Sequence, residues 1–259
     1  SPPISRWGSG VGTSRWIPSL QGDLGRGIAA PENPTTNRPG AVFLKLIDLS
    51  HTIVPGMPQW PGDDQPLAIH RHSVHGPGSH MSSSLEIGCH VGTHLDAPLH
   101  FLAGEPGVDR LPLDRFVGRG LVVRTGDGKT AGPLGPDLVA DIDLGPVDFA
   151  LFDTGWDRYW GTERYYREWS YLSPELARFL AGADLKGVGL DTPSLDPYGA
   201  QTAHDICAPE GMINLENLAN LGALPAAGFT LFALPLKLEG TEASPVRAAA
   251  LVPDEAVGT

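Results

Sequence analysis

The chain has 259 residues, of which 41% are hydrophobic and 19% are charged, a balance typical of a globular protein with a substantial core. The formal net charge is −12, and the 18 Lys and Arg residues form no basic run. This distribution argues against nucleic acid as a partner, because affinity for a phosphate backbone comes mainly from clustered cations.

Membrane and secretory signals are absent from the sequence. No segment approaches the roughly 18–20 consecutive apolar residues that span a bilayer, and the first residues carry no apolar core of a signal peptide. The only cysteines are Cys89 and Cys207, too few for a disulfide framework. We therefore expect a cytoplasmic protein with no membrane partner.

The first part of the chain differs from the rest. Residues 1–41 are rich in Gly, Pro and Ser and show neither a helical nor a strand period. We interpret this segment as an irregular N-terminal arm, followed by one domain over residues 42–259. Trp7 and Trp16 leave two alternatives open, because a buried Trp contributes a large apolar area. The arm is either an exposed linker or a segment that packs on its own domain or on a partner subunit.

From residue 41 onward, apolar runs bounded by turn residues alternate with segments of helical spacing. Leu172–Ala183 predicts a helix, with Ser173 as its N-cap and Pro174 in the first helical position. Leucines at helical spacing predict another helix over Ile213–Leu221. The predicted strands are Ala41–Leu49, His80–His90, Gly120–Thr125, Phe149–Asp153, Val188–Asp191 and, as the last, Phe229–Leu238. The alternation of strands and helices predicts an α/β fold.

Four histidines, His70, His72, His75 and His80, surround a Gly-Pro-Gly turn. The alternation of the first two is typical of a strand edge, so we predict a solvated hairpin in preference to a further metal site. Farther along, Asp191 and Asp196 lie in a proline-rich segment. Their context favours turn chemistry over a pair of acids.

The densest chemistry lies in Cys89–Phe101, which reads CHVGTHLDAPLHF. Within eleven residues this segment places four side chains of types that bind or serve a metal: His90, His94, Asp96 and His100. A zinc-protease motif is excluded, because that motif requires Glu directly after the first His, where this chain has Val91.

The spacing of these side chains requires a bend. On a straight strand, at ~3.3 Å per residue, His90 and His94 are roughly 13 Å apart and cannot share an ion. On a helix they share a face, but Asp96 then points away. The chain is able to bend at Gly92 and at Pro98, and a bent segment can place three ligands around one ion.

A second, weaker cluster lies in Ala203–Leu218 and contains His204 and Glu216. Without further context, a His and a Glu on a predicted helix are more typical of a solvated pair than of a site. Cys207 is a further candidate ligand, although a small buried thiol is the favoured interpretation.

With these segments in view, the chain resembles the cyclase-like metal hydrolases, a family that includes bacterial kynurenine formamidase. The family motif is His-x-Gly-Thr-His-x-Asp-x-x-x-His, and His90–His100 agrees with it at every specified position. Residues 1–41 fall outside the resemblance. The other similar segments are DLSHTIVPGMPQWPGD from Asp48, LPLDRFVGRGLVV from Leu111, TGWDRYWG from Thr154, GVGLDTPSLDP from Gly187, ENLANL from Glu216 and ALPLKLEGTEASPVRAAAL from Ala233.

The resemblance implies a fold and an assembly. The expected fold is a single α/β domain of the swivelling β/β/α type, in which mixed strands curl into a barrel-like sheet with flanking helices. Members of the family are commonly homodimers, so a homodimer or a higher homo-oligomer is expected, and the arm over residues 1–41 is a candidate for part of that interface.

The resemblance also implies two adjacent divalent ions, usually zinc. One ion is assigned to His90, His94 and Asp96, and the other to Asp96, His204 and Glu216, with Asp96 bridging both. Relatives of isatin hydrolase are expected to have Gln at the position of Glu216 and a single manganese ion. Glu favours the two-ion version, because a carboxylate neutralises a second cation and an amide does not.

His100 is then the expected catalytic acid or base. Bound zinc lowers the pKa of its water from about 15.7 toward ~7, and the resulting hydroxide attacks an amide, cyclic amide or lactone carbonyl. An imidazole, with an ordinary pKa near ~6.5, accepts the proton and returns it to the leaving group. The small-molecule substrate is expected to be aromatic, with Trp60, Phe101 and Trp156 as candidate contacts.

Kynurenine formamidase activity, the conversion of N-formylkynurenine to kynurenine and formate in tryptophan breakdown, is the leading functional hypothesis. An isatin- or lactone-hydrolysing relative and a ring-forming enzyme of natural-product synthesis are the alternatives within the family. A metal-binding protein without turnover is the alternative from another class. The His at position 100 argues against it, because a pure binding site needs no acid–base residue.

Overall fold

A computed structural model describes residues 44–62, 65–126, 128–129 and 131–253. The predicted arm over residues 1–41, with both its tryptophans, lies outside these ranges. Within the described residues, no helix has the length and apolar character needed to cross a membrane.

Nine strands form one large sheet. In chain order they are β1 (Leu44–Asp48), β4 (His94–Asp96), β5 (Val117–Arg124), β7 (Phe149–Asp153), β9 (Gly187–Leu190), β10 (Ile213–Glu216), β11 (Phe229–Phe232), β12 (Ala243–Pro245) and β13 (Ala249–Pro253). Two small sheets contain β2 (Leu67–Ser73) with β3 (Ser82–Ile87) and β6 (Gly132–Leu134) with β8 (Ser170–Leu172). The α-helices are α1 (Pro174–Ala181) and α2 (Thr202–Cys207).

The large sheet has the order β1-β13-β11-β5-β7-β9-β10-β4-β12. Its four central strands, β5, β7, β9 and β10, run parallel, and all other neighbours are antiparallel. The sheet curls into a half-barrel that the helices flank. The predicted α/β class with a mixed, barrel-like sheet is confirmed.

Strand β7 is buried on both faces, as is typical of a strand in a parallel sheet. Successive strand residues point to opposite faces, and here both faces are buried. Phe149 and Leu151 join one apolar core, whereas Ala150 and Phe152 join another on the opposite face. A strand covered on both faces is nearly continuously apolar, which is the pattern that predicts it in the sequence.

Helix α1 begins where its sequence predicts. The Ser173 hydroxyl accepts a hydrogen bond from the backbone N–H of Leu176 at 3.2 Å, and Pro174 is the first helical residue. Leu176 and Leu180 are fully buried in the core that also contains Phe152. The predicted cap and helix are therefore confirmed.

The predicted helix over Ile213–Leu221 is wrong. The first four residues of the segment form β10, and all four are buried. Hydrogen bonds to β9 on one side and β4 on the other fix it as a strand. The helical spacing of its leucines is overridden by burial between two neighbouring strands. Phe229–Leu238 is also not the last strand, since β12 and β13 follow it.

The predicted hairpin of the four histidines is confirmed as the pair β2–β3. His72 Nε2 lies 2.7 Å from Ser84 Oγ, and His70 Nε2 lies 3.6 Å from a carboxylate oxygen of Glu86. Both imidazoles are exposed. No group of three clustered metal-binding side chains occurs in the described part of this hairpin.

Candidate metal centre

The motif segment bends at both predicted positions. Gly92 has a φ of 69°, a left-handed conformation that favours glycine, and a Cβ there would lie 3.2 Å from the Met57 side chain. Pro98 opens a short 3-10 helix that ends at His100. Between the two bends, His94–Asp96 forms β4. The predicted bends are confirmed, and they turn His90 and His94 toward the same space.

Hydrogen bonds hold the first bend against the end of β10. The Thr93 hydroxyl donates to the backbone oxygen of Asn217 at 2.6 Å, and the Asn217 side-chain amide donates to the backbone oxygen of Gly92 at 3.0 Å. The Tyr165 hydroxyl in turn donates to Asn217 Oδ1 at 2.8 Å. This network fixes the Gly-Thr step of the motif.

The large sheet brings the second cluster to the first. Strand β4 lies between β10 and β12, and Glu216 is directly opposite His94 in the β4–β10 register. His204 comes from α2. Ligand atoms of His90, His94 and Asp96 lie within 4.8 Å of one another. The same holds for Asp96, His204 and Glu216, so Asp96 belongs to both groups.

One buried atom at the centre, His94 Nε2, has no hydrogen-bond partner. It lies 3.6 Å from Asp96 Oδ1 and 3.4 Å from Glu216 Oε2. The other ring nitrogen of His94 contacts the backbone oxygen of Gly92 at 2.9 Å. Because an orphaned buried polar atom is costly, a set of imidazole nitrogens and carboxylate oxygens that converges in this way fits a zinc ion.

His204 is oriented by a carboxylate behind it. Its Nδ1 lies 2.7 Å from Asp196 Oδ2, and its Nε2 faces Glu216 Oε1 at 3.2 Å. Asp196 also accepts the backbone N–H groups of Ala203 and His204. The imidazole is therefore held with Nε2 directed at the centre.

Neighbouring carboxylates give the centre a negative electrostatic potential. Burial by itself lowers the pKa of His90 and of His204, but neighbouring carboxylates outweigh it. Asp96 chiefly raises the pKa of His90 to about 9, and hydrogen bonds with Asp196 and Glu216 raise that of His204 to about 10. The pocket stabilises positive charge, which a divalent cation supplies when it displaces these protons.

His100 lies beside the centre and outside both donor groups that contain Asp96. Its ring is 4.3 Å from the rings of both His90 and Phe101, centroid to centroid. Desolvation lowers the pKa of His100, and the charge of Asp96 only partly opposes the shift. The imidazole is thus available as a neutral proton acceptor near pH 7.

A cavity of about 450 Å³ opens onto the centre. Trp60 and Phe101, both candidate substrate contacts, line it together with Tyr166. Trp60 stacks on Tyr198 at 5.5 Å, and Phe101 stacks on His204 at 4.2 Å, centroid to centroid. Three aromatic rings therefore stand at the wall of this cavity, which the metal-binding side chains also line.

Trp156, the third candidate substrate contact, does not line this cavity. The side chain is fully buried in an aromatic cluster, and its indole N–H donates to the backbone oxygen of Tyr165 at 3.1 Å. Cys207 is also buried and belongs to none of the metal-binding groups found among the described residues. Both side chains belong to the core.

Comparison with known proteins decides the family. A family model described as a putative cyclase matches residues 47–197, more than half of the chain. The chain belongs to this cyclase family. Kynurenine formamidase of Salinibacter ruber (strain DSM 13855 / M31) is 34% identical over 212 residues, which cover 79% of this chain and 96% of that protein.

Solved structures of similar proteins share the fold of this chain. Isatin hydrolase A from Labrenzia aggregata, bound to benzyl benzoate, superposes with a TM-score of 0.74 at 28% identity and covers 82% of this chain and 94% of its own. A protein described as a potential metal-dependent hydrolase with cyclase activity has a TM-score of 0.67 at 26% identity. It covers 82% of this chain and all of its own.

The sequence did not predict a role at the metal centre for three residues: Asp196, Asn217 and Glu242. Asp196 lies in a turn, as predicted, but its carboxylate also contacts His204. Asn217 and Glu242 contact the motif from positions more than 120 residues away in the chain. No local pattern marks either one, because these contacts form only when β10 and β12 pair with β4.

Proposed function

We propose that the protein is a metal-dependent amide hydrolase that converts N-formylkynurenine to kynurenine and formate. The observation that carries this proposal is the convergence of His94 Nε2, Asp96 Oδ1 and Glu216 Oε2 in a buried centre beside an aromatic-walled cavity. The similarity to a kynurenine formamidase over most of the chain supports the same reaction. A role in tryptophan breakdown follows from it.

The proposed cofactor is a pair of zinc ions. His90, His94 and Asp96 would hold one, and Asp96, His204 and Glu216 would hold the other, with Asp96 a candidate ligand of both. The carboxylates of Asp96 and Glu216 support two ions, because two cations close together need more than one negative charge between them. A single manganese ion is the alternative occupant.

Bound zinc supplies a water of lowered pKa and polarises the substrate carbonyl. The protein's own groups do the rest. His100 accepts a proton at its imidazole and returns it to the departing aromatic amine. The lowered pKa of His100 keeps this imidazole neutral before the proton arrives. Asp196 holds His204 in orientation throughout. Trp60 and Phe101 hold the aromatic ring of the substrate at the cavity wall.

Hydrolysis of a neutral cyclic amide, as in isatin, is the second candidate. None of the described residues that line the cavity is Lys or Arg, so no such side chain on that wall selects a carboxylate-bearing substrate. The similarity of the fold to an isatin hydrolase agrees with this alternative.

We also propose a homodimer in the cytoplasm. The hairpin β2–β3 exposes apolar side chains at Ile69, Val74, Met81 and Leu85, and an isolated two-stranded hairpin is only marginally stable in water. A second subunit that covers this hairpin would bury these apolar side chains and stabilise the two strands. Light scattering of the purified chain measures the assembly directly.

The test is hydrolysis of N-formylkynurenine by zinc-loaded protein, followed by ultraviolet absorbance, with isatin assayed in parallel. Both assays are repeated after removal of metal with a chelator and again after zinc is restored. Rapid, chelator-sensitive turnover of N-formylkynurenine supports the formamidase. Turnover of isatin alone replaces it with the cyclic-amide hydrolase, and turnover that survives the chelator contradicts metal dependence.

A further inference from the structure

We propose that Glu242 is a positioning residue that fixes the His90 imidazole for metal binding. Glu242 Oε1 lies 3.2 Å from His90 Nε2, and the opposite ring nitrogen, Nδ1, lies 2.9 Å from Asp96 Oδ1. The two contacts fall on opposite sides of one ring. When the Glu242 carboxylate accepts the Nε2 proton, the Nδ1 lone pair is left for the ion.

The backbone holds Glu242 in place for this role. Its backbone oxygen accepts the N–H of Ala97 at 2.8 Å, and the next residue, Ala243, lies opposite Asp96 in the β4–β12 pair. The strand pairing that delimits the metal centre therefore also places the Glu242 carboxylate beside His90. The main chain at Glu242 is thus already ordered before a metal ion binds.

The other two histidines of the centre have the same arrangement. His94 has the backbone oxygen of Gly92 behind its ring, and His204 has the carboxylate of Asp196. An oxygen on the outer nitrogen sets the tautomer and the orientation of a metal-binding imidazole. With Glu242, all three histidines are supported in this way. Among the described residues, no other oxygen is recorded on His90 Nε2.

Glu242 is better suited to a test than Asp196. The Asp196 carboxylate is buried and also accepts backbone N–H groups of α2, so its loss disturbs the fold. The Glu242 side chain is 37% exposed, and its recorded partner is His90. Its removal leaves no buried group of α2 without a partner, so variants at this position are expected to fold.

One competing role is available to the same carboxylate. Ligand atoms of Glu242, His90 and His100 lie within 4.8 Å of one another, so Glu242 could hold an ion directly. The two roles differ in the number of ions bound at saturation. A positioning residue changes the affinity, whereas a ligand to an additional ion changes the stoichiometry.

The experiment compares Glu242→Ala and Glu242→Gln with the wild type and with Glu239→Gln, an exposed control on the same loop. Zinc affinity is measured by competition with a chromophoric chelator, and metal content by elemental analysis at saturation. Cobalt spectra report the ligand geometry. Glu242→Ala is expected to bind about 10- to 100-fold more weakly, with the same number of ions and an altered cobalt spectrum. Glu242→Gln should be intermediate, because its amide oxygen still accepts.

Two results overturn the inference: wild-type affinity in Glu242→Ala, or the loss of one whole ion from it at saturation. The inference rests on the proposed metal centre but not on the substrate, because no substrate enters the measurement. Failure of the N-formylkynurenine assay therefore leaves it standing. A wild-type protein that binds no zinc overturns both proposals.

Discussion

His94 and Glu216 face each other directly across the antiparallel strands β4 and β10, with 3.4 Å between Nε2 and Oε2. Both side chains are buried, and His94 Nε2 makes no hydrogen bond. The nearest carboxylate thus approaches an imidazole without a hydrogen bond to it, an arrangement that fits the proposed centre, in which His94 would hold one ion and Glu216 the other. The proposed metal chemistry depends on this register.

Glu216→Gln is expected to lower the zinc content from two ions to one per subunit. The substitution keeps the shape of the side chain but removes the negative charge that supports the second ion. Elemental analysis after dialysis measures the content, and Glu210→Gln, at the exposed end of a 3-10 helix, is the matched control. Two tightly held ions in the variant contradict the assignment of Glu216.

His100→Ala is expected to keep its metal and to lose about 10²- to 10⁴-fold in kcat, the usual contribution of a positioned acid or base. Turnover and zinc content are measured on the same preparation. His75→Ala, on the exposed hairpin, controls for the loss of an imidazole. Unchanged kcat removes His100 from the mechanism, and loss of zinc assigns it to metal binding.

Trp60 and Trp156 are expected to differ in their effect on KM. Trp60→Leu should raise KM for an aromatic amide by about 2- to 10-fold, because an aromatic contact is worth ~0.5–1.5 kcal/mol, and it should also lower the free energy of unfolding, because the ring stacks on Tyr198. Trp156→Phe should leave KM unchanged and lower the free energy of unfolding by about 1–3 kcal/mol, since the Tyr165 carbonyl loses its donor. Kinetics and urea unfolding on both variants separate the roles. A reversed pattern contradicts the placement of both residues.

Asp191 is expected to make the stability depend on pH. Its carboxylate accepts hydrogen bonds from Thr154 and from the Trp156 backbone, but burial raises its pKa to about 7. The unfolded chain releases this proton near pH ~3.9. The folded state therefore binds the proton more tightly, and the stabilisation present below about pH 4 is lost as pH rises through about 7.

Asp191→Asn tests this dependence. The free energy of unfolding of the metal-free wild type should fall between pH 5.5 and pH 8 by more than that of the variant, on the order of 1–2 kcal/mol. Urea unfolding at the two pH values gives the difference for each protein. An equal change in both assigns the pH dependence to other groups.

Local signals in the chain predict the elements that depend on near neighbours. A side-chain cap and a proline at the first helical position define α1, because both act within one helical turn. The apolar run of β7 marks a strand buried on both faces. Within the motif, the spacing of His90, His94 and Asp96 requires the bend that Gly92 provides, so one half of the centre is specified by neighbours in the chain.

Contacts between distant parts of the chain fix the other features. Leucines at helical spacing in Ile213–Leu221 gave the wrong element, because burial between β9 and β4 outweighs an intrinsic preference of that size. Trp156 has the same residue type as Trp60, and only packing separates a core ring from a cavity wall. Glu216 and Glu242 reach the histidines of the centre through strand pairing across more than 100 residues of chain, which no local pattern encodes.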